Sequence, residues 1–168
     1  LADAGADLLV LETFTDVAML QTAIMAARKS CDIPIIAQMA FGELGGSEDE
    51  EAVKALFALE AHGADVVGSN CGGGPTMLVR SIRAMGRAST IPLSALPNAS
   101  YPQYVDGRYV FLTTPEYVAD RIVELVEAGA NVVGGCCGTT PEHLKLVVER
   151  LEDHRPAHRI MRPRPAPP

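Results

Sequence analysis

Three segments of the chain resemble one another, and each has Gly-Ala, an acidic or amide residue, an apolar run and a polar or thiol end. They are residues 5–13 (GADLLVLET), 63–71 (GADVVGSNC) and 129–137 (GANVVGGCC). They start 58 and 66 residues apart, roughly twice the length of about 30 residues that one strand-plus-helix unit needs. The repeat therefore predicts a further strand between each pair, and apolar runs are present there at residues 33–38 and 91–96.

All five candidate strands are short apolar runs that lack the polar alternation of a half-exposed strand. Such runs are typical of parallel strands that are covered on both faces. Helical patterns lie between them, with Asp16 and Ser47 as expected helix starts, and the tetrad Thr-Thr-Pro-Glu at 113–116 and 139–142 predicts two more. The predicted strands are 7–12, 34–39, 65–70, 92–96 and 131–135, and the predicted helices are 16–29, 49–62, 75–86, 115–129 and 141–152.

This regular alternation of strands and helices predicts an α/β fold with a parallel sheet. A dinucleotide-binding sheet is disfavoured, because no strand is followed by G-x-G-x-x-G with an acidic residue about 20 positions later. The parallel sheet is therefore either open in another way or part of a barrel, and about five βα units would form a partial (β/α)8 TIM barrel, since a closed barrel usually takes about 250 residues. Residues 1–153 are expected to form one domain, and residues 154–168, rich in Pro and Arg, a linker or tail.

Charge and cysteine content exclude several classes of protein. The net charge of −7 gives no basic surface for a phosphate backbone, so nucleic acid is not expected as a partner. No apolar run reaches the roughly 18 residues of a membrane helix, and the first residues are acidic where a signal peptide is basic. Four cysteines are too few for a disulfide scaffold. We expect a cytoplasmic protein whose cysteines are free, with no membrane partner.

Acidic, amide and thiol side chains follow the predicted strands at their carboxyl ends. Glu12 ends the first strand, Cys71 follows the third, Asn98 the fourth, and Cys136 and Cys137 the fifth. Chemistry in parallel α/β folds is found at these ends. Three thiolates suit Zn²⁺ and leave its fourth tetrahedral position open. Two alternatives stay open: a zinc ion that only stabilises a partial barrel, or an enzyme that uses the adjacent cysteines in redox or nucleophilic chemistry.

The remaining cysteine and the histidines are not expected to bind metal. Cys31 follows a helical stretch and is interpreted as a small buried apolar residue. The four histidines show no ligand spacing, so we expect them to be solvated.

The cysteine segments resemble motifs of a known family. GSNCGGGP around Cys71 and GGCCGTTPEH around Cys136 and Cys137 are similar to the zinc motifs of the homocysteine S-methyltransferase domain family, and LLVLETFTD and LPNASYPQYVDGRYVF occur in that family's order. IIAQMAF and the Pro/Arg tail look most like those of bacterial proteins in which an N-terminal homocysteine S-methyltransferase domain is joined to a methylenetetrahydrofolate reductase. The resemblance covers about residues 1–152, the C-terminal half of the family's barrel, without the Asp-Gly motif of its first strand.

The resemblance implies zinc-dependent methyl transfer to the thiol of homocysteine, giving methionine. It implies that Cys71, Cys136 and Cys137 are the ligands of Zn²⁺. It also implies that Glu12 binds the amino group of homocysteine and that Asn98 lines the same pocket. The implied partners are homocysteine, a small methyl donor such as methyltetrahydrofolate or S-methylmethionine, and a fused reductase domain. Because the Asp-Gly motif contributes to the homocysteine site, we expect this chain alone to lack part of the substrate pocket.

Overall fold

In the computed structural model, which describes residues 1–41 and 48–159, five strands form one sheet and a separate hairpin follows the fourth of them. All neighbours in the five-stranded sheet are parallel. The sheet strands are β1 Leu9–Phe14, β2 Ile35–Met39, β3 Val66–Cys71, β4 Leu93–Pro97 and β7 Val132–Val133, and the hairpin strands are β5 Pro102–Val105 and β6 Arg108–Phe111. The helices are α1 Val17–Ser30, α2 Glu48–Ala61, α3 Pro75–Ala88, α4 Pro115–Glu127 and α5 Pro141–Leu151.

The order of strands across the sheet is β1-β2-β3-β4-β7, which is also their order along the chain. A doubly wound sheet reverses this order at a switch point, whereas a barrel keeps it. Consecutive helices also pack side by side. The predicted partial TIM barrel is therefore confirmed. The fifth strand is shorter than predicted, but the chain stays beside β4 beyond it, since the Cys136 amide donates to the Pro97 carbonyl at 2.8 Å.

The core lies between the sheet and its layer of helices. The largest fully buried side chains of the helices come from their inward faces, and they meet apolar side chains of the strands: Leu20, Ile24, Leu56, Leu59, Ile82, Met85, Ile122, Leu125, Ile35, Val67 and Leu93. Burying a side chain of this size contributes about 1.5–3 kcal/mol. Within residues 1–41 and 48–159, no helix has both the length and the apolar character that crossing a membrane requires.

Gly68 of β3 has no side chain, and this allows a hydrogen bond between side chains of β2 and β4 to cross it inside the sheet. A Cβ atom on Gly68 would lie 1.9 Å from the backbone oxygen of Ser94, so no larger residue fits there. Across this gap the buried Gln38 amide donates to the Ser94 hydroxyl at 3.0 Å. The glycine inside the repeat segment 63–71 is thus required by a close approach of two strands.

The predicted helix starts are confirmed where the structure describes them. The Asp16 carboxylate accepts the backbone N–H of Met19 at 2.8 Å, and the Thr114 hydroxyl accepts that of Tyr117 at 3.3 Å. In both Thr-Thr-Pro-Glu tetrads the proline occupies the first turn of the helix, where its missing N–H costs nothing. Ser47 lies outside the described residues.

The burial of His143 differs from expectation. It is only 7% exposed, and its Nδ1 accepts the backbone N–H of Thr140 at 3.2 Å and contacts the Thr140 hydroxyl at 2.7 Å. It thereby completes a capping box at the start of α5. The expectation that this histidine is solvated is wrong, because the imidazole ring takes the position that Glu or Gln usually holds in such a cap.

The hairpin of β5 and β6 was not among the predicted strands. Its two antiparallel strands are joined by Asp106 and Gly107, whose φ angles are 48° and 81°. Positive φ at both central positions is the geometry of a type I′ turn, for which Asp-Gly is a favoured pair. The signal was therefore present in the sequence as Asp-Gly between two β-forming runs.

The start of the expected tail lies against the fold. The Asn131 amide donates to the carbonyl of Ala157 at 2.7 Å, and the Arg159 guanidinium donates to three carbonyls that follow or end α3 and α4. These are the carbonyls of Gly86, Ser89 and Gly129. Burial lowers the pKa of Arg159. The domain boundary at residue 153 stays a prediction, and residues 160–168 lie outside the described part of the chain.

A buried ion pair holds the amino-terminal ends of the strands. The Arg28 guanidinium contacts the Asp65 carboxylate and donates to the carbonyls of Gly63 and Ile33 at 2.7 Å each. Asp65 also accepts the backbone N–H of Ile35 at 2.7 Å. The Arg28 and Asp65 side chains are only 14% and 7% exposed, so one arginine on α1 fixes the entry into both β2 and β3.

Replacing Arg28 by Met is expected to lower the free energy of unfolding by about 3–5 kcal/mol, because it removes the guanidinium that balances a buried carboxylate. Urea denaturation of the protein measures this loss of unfolding free energy. Arg150→Met is the matched control: Arg150 pairs with Asp120 at 2.9 Å, but both side chains are about half exposed, and such pairs contribute at most about 1 kcal/mol. Equal losses in the two variants would contradict the assignment.

Candidate metal centre

Three cysteines meet at the carboxyl edge of the sheet. Cys71 is the last residue of β3, and Cys136 and Cys137 follow β7. Their Sγ atoms all lie within 4.8 Å of one another, and those of Cys136 and Cys137 are 3.9 Å apart. We call these three residues the cysteine cluster. Among residues 1–41 and 48–159 it is the one group of three or more His, Cys, Asp or Glu side chains placed so that it could hold a metal ion.

Local backbone conformation brings the sulfurs together. Cys71 has a φ of 60°, in the left-handed region that favours glycine, and Gly72 follows with a φ of 69°. On the other side, the Cys136 amide is bound to the Pro97 carbonyl, and the Cys137 carbonyl accepts the Ala99 amide at 2.9 Å. The ends of β3 and β4 and the segment after β7 therefore lie side by side around the sulfurs.

Electrostatics disfavour three ionised thiols at this edge unless a cation balances them. The pKa of Cys137 is raised to about 11, first by partial burial of the thiol and then by the negative charge of the neighbouring Cys136 and Cys71 sulfurs. A reactive cysteine needs the opposite shift, toward a lower pKa. Cys137 by itself is thus unlike an activated nucleophile.

The donor set fits Zn²⁺. Thiolates at Zn–S distances of about 2.3 Å in a tetrahedral site lie about 3.8 Å apart, close to the 3.9 Å between Cys136 and Cys137. A divalent cation removes the repulsion that raises the Cys137 pKa. Three protein ligands leave a fourth position for substrate, as in catalytic zinc sites.

Asn98 lies directly beside the cluster. It is only 2% exposed, and its amide bridges two backbone groups: Nδ2 donates to the Gly72 carbonyl at 3.0 Å, and Oδ1 accepts the Cys137 N–H at 3.2 Å. The side chain thereby ties the residue after Cys71 to Cys137. Its contact with homocysteine stays a prediction.

Glu12 lies on β1 at the same edge and is exposed. The next residue, Thr13, is joined to the cluster through Asn70, whose amide binds both the Thr13 backbone and hydroxyl and lies 3.8 Å from the Cys136 sulfur. The structure therefore brings the segment that carries Glu12 next to the cysteines. The role of Glu12 in substrate binding stays a prediction.

Cys31 lies apart from this edge. It caps the carboxyl end of α1, and its Sγ contacts the Ala27 carbonyl at 3.5 Å. Sequence patterns gave no role to Asn70 or Thr13. The sole sequence signal for Asn70 is its position immediately before Cys71 at a strand end.

Two curated relatives of this chain have the same name, methionine synthase. The chain is 32% identical over 169 residues to methionine synthase of Mycobacterium tuberculosis (strain ATCC 25618 / H37Rv), covering 94% of this chain and 14% of that protein. It is 32% identical over 155 residues to methionine synthase of Mycobacterium leprae (strain TN), covering 86% and 13%. The chain thus spans about one seventh of the length of these curated relatives.

A solved structure shares the fold. The apo form of the homocysteine methyltransferase MmuM from Escherichia coli superposes with a TM-score of 0.65 at 22% identity, over 89% of this chain and 51% of that one. The sequence model of the family described as homocysteine S-methyltransferase matches residues 1–151. With the family model covering nearly the whole described chain, and relatives above 30% identity, the chain belongs to the homocysteine S-methyltransferase family.

Proposed function

We propose that this chain carries the zinc-binding and homocysteine-binding part of an enzyme that methylates the thiol of homocysteine to give methionine. One observation carries the proposal: three cysteine sulfurs lie within 4.8 Å of one another at the carboxyl edge of a parallel sheet in a member of this family. The names of the relatives, methionine synthase and homocysteine methyltransferase, support the same reaction.

In this proposal Cys71, Cys136 and Cys137 hold Zn²⁺. The bound cation would lower the pKa of the substrate thiol, so that it is a thiolate at neutral pH. The amide of Asn98 would shape the pocket wall, since it fixes the Gly72 carbonyl and the Cys137 N–H. These residues supply binding and orientation, which converts an encounter between two molecules into a reaction within one complex.

Glu12 would bind the ammonium group of homocysteine through a charge-assisted hydrogen bond. This contact would orient the amino acid so that its sulfur faces the methyl donor. During transfer, a bond forms between that sulfur and the methyl carbon, while the bond from the carbon to the donor breaks and its electron pair leaves with the donor. The proton of the thiol goes to solvent.

We also propose that residues 1–153 are part of a closed barrel whose other strands lie outside this chain. Support comes from the two edge strands, β1 and β7, where Val10 and Val132 are 42% and 38% exposed. Further strands would cover these apolar side chains and pair the edges. The tests below therefore use the full gene product.

Purified under reducing conditions, the full gene product is expected to carry about one zinc per chain, measured by inductively coupled plasma mass spectrometry. Cys71→Ser is expected to lose most of this zinc, because serine is a poor ligand for a soft thiolate site. Cys31→Ser is the matched control and should keep it. A correctly folded wild-type protein without zinc would refute the metal site and favour redox chemistry at the adjacent cysteines.

Methionine formation tests the reaction itself. The zinc-loaded protein is expected to convert homocysteine to methionine with at least one donor from a panel of methyltetrahydrofolate, S-methylmethionine and related sulfonium or ammonium compounds. Mass spectrometry of the product, with a deuterated methyl group on the donor, identifies the transferred carbon. Zinc-loaded protein that forms no methionine with any donor would indicate a metal that only stabilises the fold.

Glu12→Gln is expected to raise the KM for homocysteine by about 10- to 100-fold, because a hydrogen bond to a charged group contributes about 1.5–3 kcal/mol. The kcat should change less, since the carboxylate binds a group remote from the reacting sulfur. Steady-state kinetics with varied homocysteine separate the two. Glu127→Gln, an exposed acid at the end of α4, is the control; a matching KM for wild type and Glu12→Gln would rule out this role.

A further inference from the structure

Asn70 is buried at the carboxyl end of β3, immediately before Cys71, with no exposed surface. Its Oδ1 accepts the backbone N–H of Thr13 at 2.8 Å, and its Nδ2 donates to the Thr13 hydroxyl at 2.7 Å. Nδ2 also lies 3.8 Å from the Sγ of Cys136. A primary amide has two N–H donors, so Nδ2 can serve both the hydroxyl and the sulfur at once.

The orientation of this amide follows from its partners. A backbone N–H can only donate, so the atom facing the Thr13 nitrogen must be the amide oxygen. The NH₂ group therefore faces the Thr13 hydroxyl and the Cys136 sulfur. Asn70 thus presents a neutral donor to a thiol of the cysteine cluster.

Thr13 adopts a backbone conformation that needs support. Its φ is 65°, in the left-handed region, which is rarely occupied by a β-branched residue. Asn70 binds both its N–H and its hydroxyl and so satisfies the polar groups of Thr13 at this irregularity of β1. Glu12 is the adjacent residue, so the same amide fixes the backbone that follows Glu12.

The two asparagines at this edge differ in what they bind. Asn98 binds backbone groups on either side, at Gly72 and Cys137. Asn70 also binds a backbone N–H, but in addition it contacts the Thr13 hydroxyl on β1 and the Cys136 sulfur in the segment after β7. Outer-shell donors of this kind orient metal ligands and tune their charge.

We propose that Asn70 is a positioning residue that couples the irregular part of β1 at Glu12 and Thr13 to the sulfur of Cys136. The inference rests on the proposed function, in which Cys136 binds Zn²⁺ and Glu12 binds homocysteine. The amide donates to the sulfur and stabilises its negative charge without adding charge, while its other contacts hold the part of β1 beside Glu12 at a fixed distance from the metal.

Asn70→Asp tests this with little change in shape. The carboxylate still accepts the Thr13 N–H, but it replaces the NH₂ donor by an oxygen that repels a thiolate. In the full gene product, zinc affinity from chelator competition is expected to fall about 10- to 100-fold. The thiolate-to-metal and ligand-field bands of the Co²⁺-loaded protein should shift, and the KM for homocysteine should rise.

Ser69→Ala is the matched control. Ser69 is the neighbouring residue on β3, is fully buried, and has a hydroxyl without a hydrogen-bond partner among the described residues. Its removal should leave zinc affinity, the Co²⁺ spectrum and KM unchanged. Asn70→Asp protein with the urea midpoint, zinc affinity and Co²⁺ spectrum of wild type would overturn the proposal.

A second pair of variants keeps the test valid if Asn70→Asp does not fold. Thr13→Val removes the hydroxyl that Nδ2 binds, and Thr13→Ser keeps it. The proposal expects a shifted Co²⁺ spectrum and a raised KM in Thr13→Val, and clearly smaller changes in Thr13→Ser; identical behaviour of the two overturns it. Wild-type protein that takes up neither zinc nor cobalt overturns the proposed function as well, whereas metal-binding protein with unaffected variants overturns this inference alone.

Discussion

Hydrogen bonding between five parallel strands aligns their carboxyl ends along one edge, and the cysteine cluster depends on this alignment. Cys71 lies beside Pro97 in the register of β3 and β4, and the chain after β7 stays bound to β4 as far as Cys136. A shift of one residue in either pairing would move every side chain to the opposite face of the sheet. The sulfurs therefore meet only in the observed register.

The buried ion pair and the cysteine cluster lie at opposite ends of the strands. The buried pair of Arg28 and Asp65 joins the segments that enter β2 and β3, and Arg159 binds carbonyls at the ends of α3 and α4. The carboxyl edge instead holds residues in strained conformations, Thr13 and Cys71, with φ angles of 65° and 60°. Such strain persists only where surrounding contacts over-determine it, and it is common at functional sites.

The carboxyl edge combines three sulfurs with two buried amides. Partial burial and then repulsion from the neighbouring sulfurs raise the pKa of Cys137, and a divalent cation would relieve the repulsion. Asn98 and Asn70 satisfy backbone groups that strand ends would otherwise leave unpaired. The same two side chains therefore contribute to the fold and fix the distance between the strand ends that carry the site.

Local patterns in the sequence determined the βα order, the helix starts at Asp16 and Thr114, and the placement of all three cysteines at strand ends. These features depend on apolar periodicity and on capping within a few residues, which a sequence displays directly. Only the tertiary structure decided the sulfur distances, the burial of His143 and the contacts of Asn70. Asn70 lies 57 residues from Thr13 and 66 from Cys136. Contacts over such separations are set by strand register and backbone angles, which no local pattern specifies.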